Sequence, residues 1–68
     1  MTIYERLKKA RKKKKLSQLQ AATKLNVTQA TISKYESGML EPSLEMFKNM
    51  LILYEASADE ILGIPHRK

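Results

Sequence analysis

Five hydroxyl residues, Thr2, Ser17, Thr28, Ser43 and Ser57, punctuate this 68-residue chain, and each is followed by a stretch long enough for one short helix. A Ser or Thr at a helix start accepts a hydrogen bond from a first-turn amide that would otherwise lack a partner. Three of the five have a side chain three residues later that can return the bond, pairing Thr2 with Glu5, Ser17 with Gln20 and Ser57 with Glu60. Apolar staples are expected across three starts: Val27 with Ile32, Ala56 with Ile61, and Pro42 with Phe47. Both prolines and both glycines lie beyond residue 37, and no segment alternates apolar and polar residues at strand period. The chain is therefore expected to be all-α, with helices near residues 3 to 14, 18 to 25, 29 to 37, 44 to 54 and 58 to 62.

Helical spacing then assigns faces. Ile3, Leu7 and Ala10 form the inner stripe of the first helix, with Lys9, Lys12 and Lys13 turned outward; continuing past Lys14 would bury a lysine, so the helix stops there. Ala22, Leu25, Ile32, Tyr35, Leu44, Phe47, Met50, Leu51, Tyr54, Ile61 and Leu62 complete one core. No linker, repeat or low-complexity segment divides it. Residues 1–68 read as one domain, with its core at about 3 to 63 and a short basic tail at 64 to 68.

Several functions fall away on composition. A chain this short has no room for a buried catalytic cleft beside its own core, so no catalytic residue is expected. With no cysteine and one histidine, His66, there is no disulfide framework and no metal site, and no cofactor is expected. The longest apolar run, Met50 to Tyr54, is far short of a membrane span, and the early charges do not suit a signal peptide, which reads as a cytoplasmic protein. The formal charge of +6, with seven of the eight residues from Lys8 to Lys15 basic, favours a polyanionic partner; a solvated helix face is the plain alternative.

The third helix sharpens that partner. At about 100° per residue, Thr28, Ile32 and Tyr35 share one side and Ala30, Ser33, Lys34 and Ser37 the other. The outer side is made of small residues, with Gln29, Thr31 and Lys34 as hydrogen-bonding probes. A major-groove reader needs this chemistry: glutamine pairs bidentately with adenine, lysine reaches guanine, and alanine or a threonine methyl meets the thymine methyl. Ordinary polar helix surface has a similar composition, so the helix alone leaves both readings open.

The preceding unit supplies context. Residues Gln18 to Ser37 read as a short helix with Ala22 inside, a tight turn at Asn26 and Val27, and a second helix with Ile32 inward. L-S-Q at Leu16 to Gln18, T-I-S-K-Y-E-S-G at Thr31 to Gly38, P-S-L at Pro42 to Leu44 and D-E-I-L-G at Asp59 to Gly63 stand with it. From about Ile3 to Gly63 the chain resembles the Cro and phage-repressor type of helix-turn-helix protein, also called the xenobiotic response element family. The resemblance implies a five-helix, lambda-repressor-like fold that binds a double-stranded DNA operator. It implies base contacts from Gln29, Ala30, Ser33 and Lys34, with Thr28 and Thr31 on base edges or backbone. Gln18 matches a phosphate-binding glutamine, helped by Ser17 and the helix end, and Ser37 matches a further phosphate contact. Arg11 and Glu36 match a pair that ties the first helix to the end of the recognition helix.

Three departures stand out. Lys15 and Asn26 occupy positions where the family usually has glycine; asparagine tolerates a left-handed backbone, while lysine does so at a cost of about 1 kcal/mol. The loop Met39-Leu40-Glu41 lacks the basic residues many members place against phosphate, and the Lys8 to Lys15 run, Lys14 and Lys15 in particular, is the expected substitute. Met39, Leu40, Met46, Ile52, Leu53 and Ile64 exceed what one small core hides. Of these, Met39, Leu40, Ile52, Leu53 and Ile64 are the candidate surface of a homodimer, with scattered exposed apolar residues as the alternative. The expected function is that of a DNA-binding regulator, chiefly a repressor. The alternatives are an antitoxin or other module that uses the same helices on a protein partner and, more weakly, a basic helix lying on a membrane surface.

Overall fold

The computed structural model describes residues 1–64, so the tail beyond Ile64, with His66, lies outside the described residues. Among the described residues five helices follow in chain order: α1 (Ile3–Lys13), α2 (Gln18–Leu25), α3 (Gln29–Ser37), α4 (Leu44–Tyr54) and α5 (Ala58–Leu62). Every one starts on a hydroxyl cap. Thr2, Ser17, Thr28, Ser43 and Ser57 accept from the amides of Glu5, Gln20, Thr31, Met46 and Glu60, at 3.0 to 3.2 Å. The reciprocal bond is present at Thr2, from its amide to Glu5 Oε1 at 2.9 Å, and at Ser17, from its amide to Gln20 Oε1 at 2.8 Å. At Ser57 only the hydroxyl half of the expected box is present.

The helix ends are as distinctive as the starts. Lys15, Asn26, Gly38, Glu55 and Gly63 all have positive φ, at 59°, 62°, 81°, 53° and 72°. The turn through Lys15 is closed by its amide donating to the Lys12 carbonyl at 2.8 Å and the Leu16 amide donating to the Arg11 carbonyl at 3.3 Å. At Gly38 two requirements coincide, because a methyl group there would stand 2.9 Å from ring carbons of Tyr4 as well as on a left-handed backbone.

α1 packs against α3, α4 and α5, and α2 bridges α3 and α4. Leu7, Ala21, Ala22, Ile32, Tyr35, Met50, Tyr54 and Ile61 are buried between them, with Ala10, Leu16, Leu25, Val27, Met46, Phe47, Leu51, Leu53 and Ala56 packed on the outside of that cluster. Leu7, Ile32 and Met50 are the largest side chains wholly removed from water, each contributing about 2 kcal/mol. Ala21 was not foreseen in the core. It is buried beside Ala22 because α2 is covered on two flanks rather than one.

Four inward assignments need correction. Leu44, expected in the core, is 89% exposed, and Ile3 and Leu62 are also exposed. Leu44 opens α4 well off the face that carries Met50 and Tyr54, and Leu62 lies about 100° round α5 from Ile61, the one inward position a five-residue helix offers. Ile3 stands on the first turn of α1, and together the three rim an apolar groove with Tyr4, Pro42 and Phe47. Thr28 is exposed because it stands just before α3, where its hydroxyl turns back to the helix instead of inward. Among the described residues, no helix is long and apolar enough to cross a membrane.

Candidate nucleic-acid interface

α2 and α3 are joined by a turn at Asn26 whose left-handed backbone (φ 62°, ψ 40°) reverses the chain at once. The Val27 amide donates back to the Ala22 carbonyl at 2.9 Å, which fixes the angle between the two helices. Ile32, Tyr35 and Glu36 are buried and hold α3 to the body. Gln29, Ala30, Ser33, Lys34 and Ser37 are exposed on its other side, and Thr31 is half-buried at the edge. The Thr28 and Thr31 hydroxyls share a hydrogen bond of 2.9 Å, and the Ser37 hydroxyl donates to the Lys34 carbonyl at 3.2 Å. These hydroxyls are thereby oriented while keeping acceptor capacity. The outward side chains of Gln29, Ser33 and Lys34 are spaced by the helix on a strip whose centre, Ala30, is nearly bare backbone.

Beside this strip lies the start of α2, held by a buried network. Arg11 Nε donates to Glu36 Oε2 at 2.6 Å, and Arg11 NH2 to Glu36 Oε1 at 3.1 Å. The third nitrogen, Arg11 NH1, donates to the Leu16 carbonyl at 2.6 Å, so one guanidinium ties the α1–α2 junction to the end of α3. Both side chains are almost wholly buried. The Glu36 hydrogen bond pushes the Arg11 pKa up, with burial opposing it. Gln18 Nε2 joins by donating to Glu36 Oε1 at 3.2 Å. A side-chain amide nitrogen carries two hydrogens, so Gln18 can hold Glu36 with one and offer the other to an anion outside. Ser17, exposed beside it, accepts the Gln20 amide at its hydroxyl oxygen in the cap of α2 and keeps its O–H proton to donate.

The basic positions at the α1–α2 junction divide into two kinds. Lys15 is exposed and forms no ion pair among the described residues. Lys14 Nζ instead lies 2.6 Å from Glu55 Oε2, on the turn after α4. Sequence reasoning missed this partner, since Glu55 is 41 residues away and only the packing of α1 against α4 and α5 brings the turns together. It also missed the bond between Gln18 and Glu36, for the same reason.

Of the candidate dimer residues, Met39 is 78% exposed, Leu40, Ile52 and Ile64 are exposed, and Leu53 is half-buried against the core. They come from three separate stretches of the chain: Met39 and Leu40 follow α3, Ile52 and Leu53 are on α4, and Ile64 follows α5. Glu41, in the loop after α3, lines the apolar groove rather than adding a cation near the strip.

Comparison with known proteins agrees in extent with this arrangement. The profile of the Helix-turn-helix family matches residues 7–61, from α1 to the buried residue of α5. The HTH-type transcriptional regulator ImmR of Bacillus subtilis (strain 168) is 36% identical over 63 residues, 93% of this chain and 50% of that protein. The HTH-type transcriptional regulator AnsR of the same organism is 38% identical over 64 residues, 94% of this chain and 55% of that protein. The HTH-type transcriptional activator BcrR of Enterococcus faecalis is 37% identical over 63 residues, 93% of this chain and 31% of that protein. The chain thus spans about half the length of ImmR and AnsR and under a third of BcrR.

Proposed function

Because the chain belongs to the helix-turn-helix family of the Cro and phage-repressor type, we propose that it is a sequence-specific double-stranded DNA-binding transcription regulator that presents α3 to the major groove. The observation that carries this reading is the exposed strip of Gln29, Ala30, Ser33 and Lys34 on a helix whose other side, Ile32, Tyr35 and Glu36, is locked into the body. In this reading Gln29 and Lys34 read purine edges, Ala30 and Thr31 meet thymine methyls, and Thr28 and Ser33 complete the base contacts. Ser17, Gln18 and Ser37 set the register on phosphates, with the exposed amides and dipole of the α2 start, Ser37 by turning its hydroxyl proton from the Lys34 carbonyl to a phosphate oxygen. Lys15, and Lys14 when its ammonium leaves Glu55, replace the cations that the 39–41 loop lacks.

The proposed activity is binding, in the cytoplasm, with no chemical step and no cofactor, and residues 1–68 act as one domain. Repression is the favoured sign, since occupancy of an operator is enough to block transcription and needs no further surface. A homodimer in which Met39, Leu40, Ile52, Leu53 and Ile64 contribute to the contact would set two α3 helices about 34 Å apart on a palindrome.

Selection of bound duplexes from random DNA tests the proposal. A palindromic consensus is the expected result, and Gln29→Ala and Lys34→Ala should each relax preference at a base pair by about 1–3 kcal/mol. Affinity should fall with salt at a log–log slope of about −0.9 per neutralised phosphate. Recovery of no consensus, with these substitutions instead abolishing capture of a protein such as a toxin, would move the function to the protein-interaction alternative.

A further inference from the structure

Lys14 stands at the α1–α2 junction, three residues before the Ser17 cap, and the DNA-binding reading proposed above sets it against phosphate. Its ammonium is nevertheless spent on Glu55 at 2.6 Å. The backbone of Glu55, at φ 53° and ψ 42°, is in a conformation that favours glycine or asparagine over a residue with a long side chain. Its side chain is 71% exposed, so packing does not explain its presence either. What the carboxylate does in the structure is neutralise one lysine of the Lys12 to Lys15 set. That lysine holds the carboxyl below its usual range, first through their hydrogen bond and then through its charge, so Glu55 stays ionised at neutral pH.

We infer that Glu55 limits affinity, its carboxylate holding the Lys14 ammonium away from the DNA backbone in direct competition with phosphate. The inference rests on the DNA-binding reading above. Lysine has three donors, but a phosphate admitted beside the same ammonium would face the carboxylate at close range, and like charges so placed repel. Carboxylate and phosphate therefore alternate. An exposed ion pair is weak, so the competition attenuates binding without preventing it, and salt that weakens the phosphate contact weakens the internal pair as well. Lys15, one residue on, forms no ion pair among the described residues and carries the contact meanwhile.

The test is a double-mutant cycle on the duplex selected from random DNA, with affinity measured from low to physiological salt. Glu55→Gln should tighten binding about three- to fivefold at low salt and steepen the salt slope by about 0.9, one more phosphate neutralised. Glu45→Gln, an exposed acid on the first turn of α4, controls for the change in net charge and should do much less. In a Lys14→Gln background, Glu55→Gln should add nothing beyond that control. Equal gains from Glu55→Gln in both backgrounds, or a gain no larger than the control, would overturn the inference while leaving the DNA-binding reading intact. Failure of the wild-type chain to bind any selected duplex would remove both.

Discussion

Replacing Lys15 by glycine separates two roles that one residue holds. The Lys15 backbone lies at φ 59°, where a residue bearing a Cβ is strained by about 1–2 kcal/mol. Glycine removes that strain but enlarges the freedom of the unfolded chain, which returns roughly 0.4–1 kcal/mol. The balance is a gain of about 0.5–1 kcal/mol, and for a domain of this size about 4–8 °C per kcal/mol puts the rise in Tm at roughly 2–8 °C. The same change deletes an exposed cation beside the start of α2, so the salt slope for DNA should become shallower by about 0.9. Lys15→Ala is the matched control: it loses the charge and keeps the strain, so its Tm should stay near wild type while its slope changes as in the glycine variant. Thermal melts followed by circular dichroism and binding isotherms at several salt concentrations read the two effects independently. A lower Tm for Lys15→Gly would refute the strain argument. A higher Tm with an unchanged slope would leave the strain argument standing and remove Lys15 from the phosphate contacts.

Arg11→Met should cost about 3–5 kcal/mol, since it leaves the Glu36 carboxylate buried without its bidentate partner, and chemical denaturation should find the variant largely unfolded. Arg11→Met combined with Glu36→Leu should recover most of that loss; a double variant as unstable as the single would show that the pair's packing, not its charge, matters. Tyr54 is buried, no described protein group hydrogen-bonds its hydroxyl, and burial, aided by the Glu36 carboxylate, pushes its pKa up to about 12. The unfolded phenol ionises from about pH 10 while the folded one stays neutral, so this contribution is complete below pH 10 and is lost as pH rises towards 12, by about 2–3 kcal/mol. Urea denaturation at pH 9 and 11 should show Tyr54→Phe losing less stability than wild type; parallel losses would contradict the raised pKa. Ile52→Ser and Met39→Ser, both on exposed positions, should shift sedimentation of a homodimer towards monomer with little change in Tm, and a chain that is monomeric both free and on its selected duplex would dispose of the dimer.

Much of the fold was legible because its signals are local. A hydroxyl that accepts from an amide three residues on acts within one helical turn, which is why all five helix starts fall where Thr2, Ser17, Thr28, Ser43 and Ser57 stand. The two faces of α3 follow from helical spacing in the same way, and the left-handed turn at Asn26 needs no distant partner. Resemblance to a family supplied what spacing could not, the pairing of Arg11 with Glu36 that the structure contains, and suggested the roles proposed for the strip. Misassignments came where period alone was asked to measure depth: Leu44, Ile3 and Leu62 fit an inward stripe, yet the short α5 and the ends of α1 and α4 leave them at the rim of a groove.

Tertiary structure decided the rest, and for one physical reason: charge and burial depend on what another helix brings near. Ala21 is buried because α2 is covered by α3 and α4 together. Gln18 is oriented by a carboxylate from α3, and Lys14 is neutralised by Glu55 from a turn 41 residues away, so that of two adjacent lysines with equal claims in the sequence only Lys15 is left without an ion pair among the described residues. Caps, helical spacing and one asparagine were enough to place each helix start, the turn into α3 and the outward face of α3. Which of the two lysines carries an internal ion pair depends on α1 meeting the turn after α4.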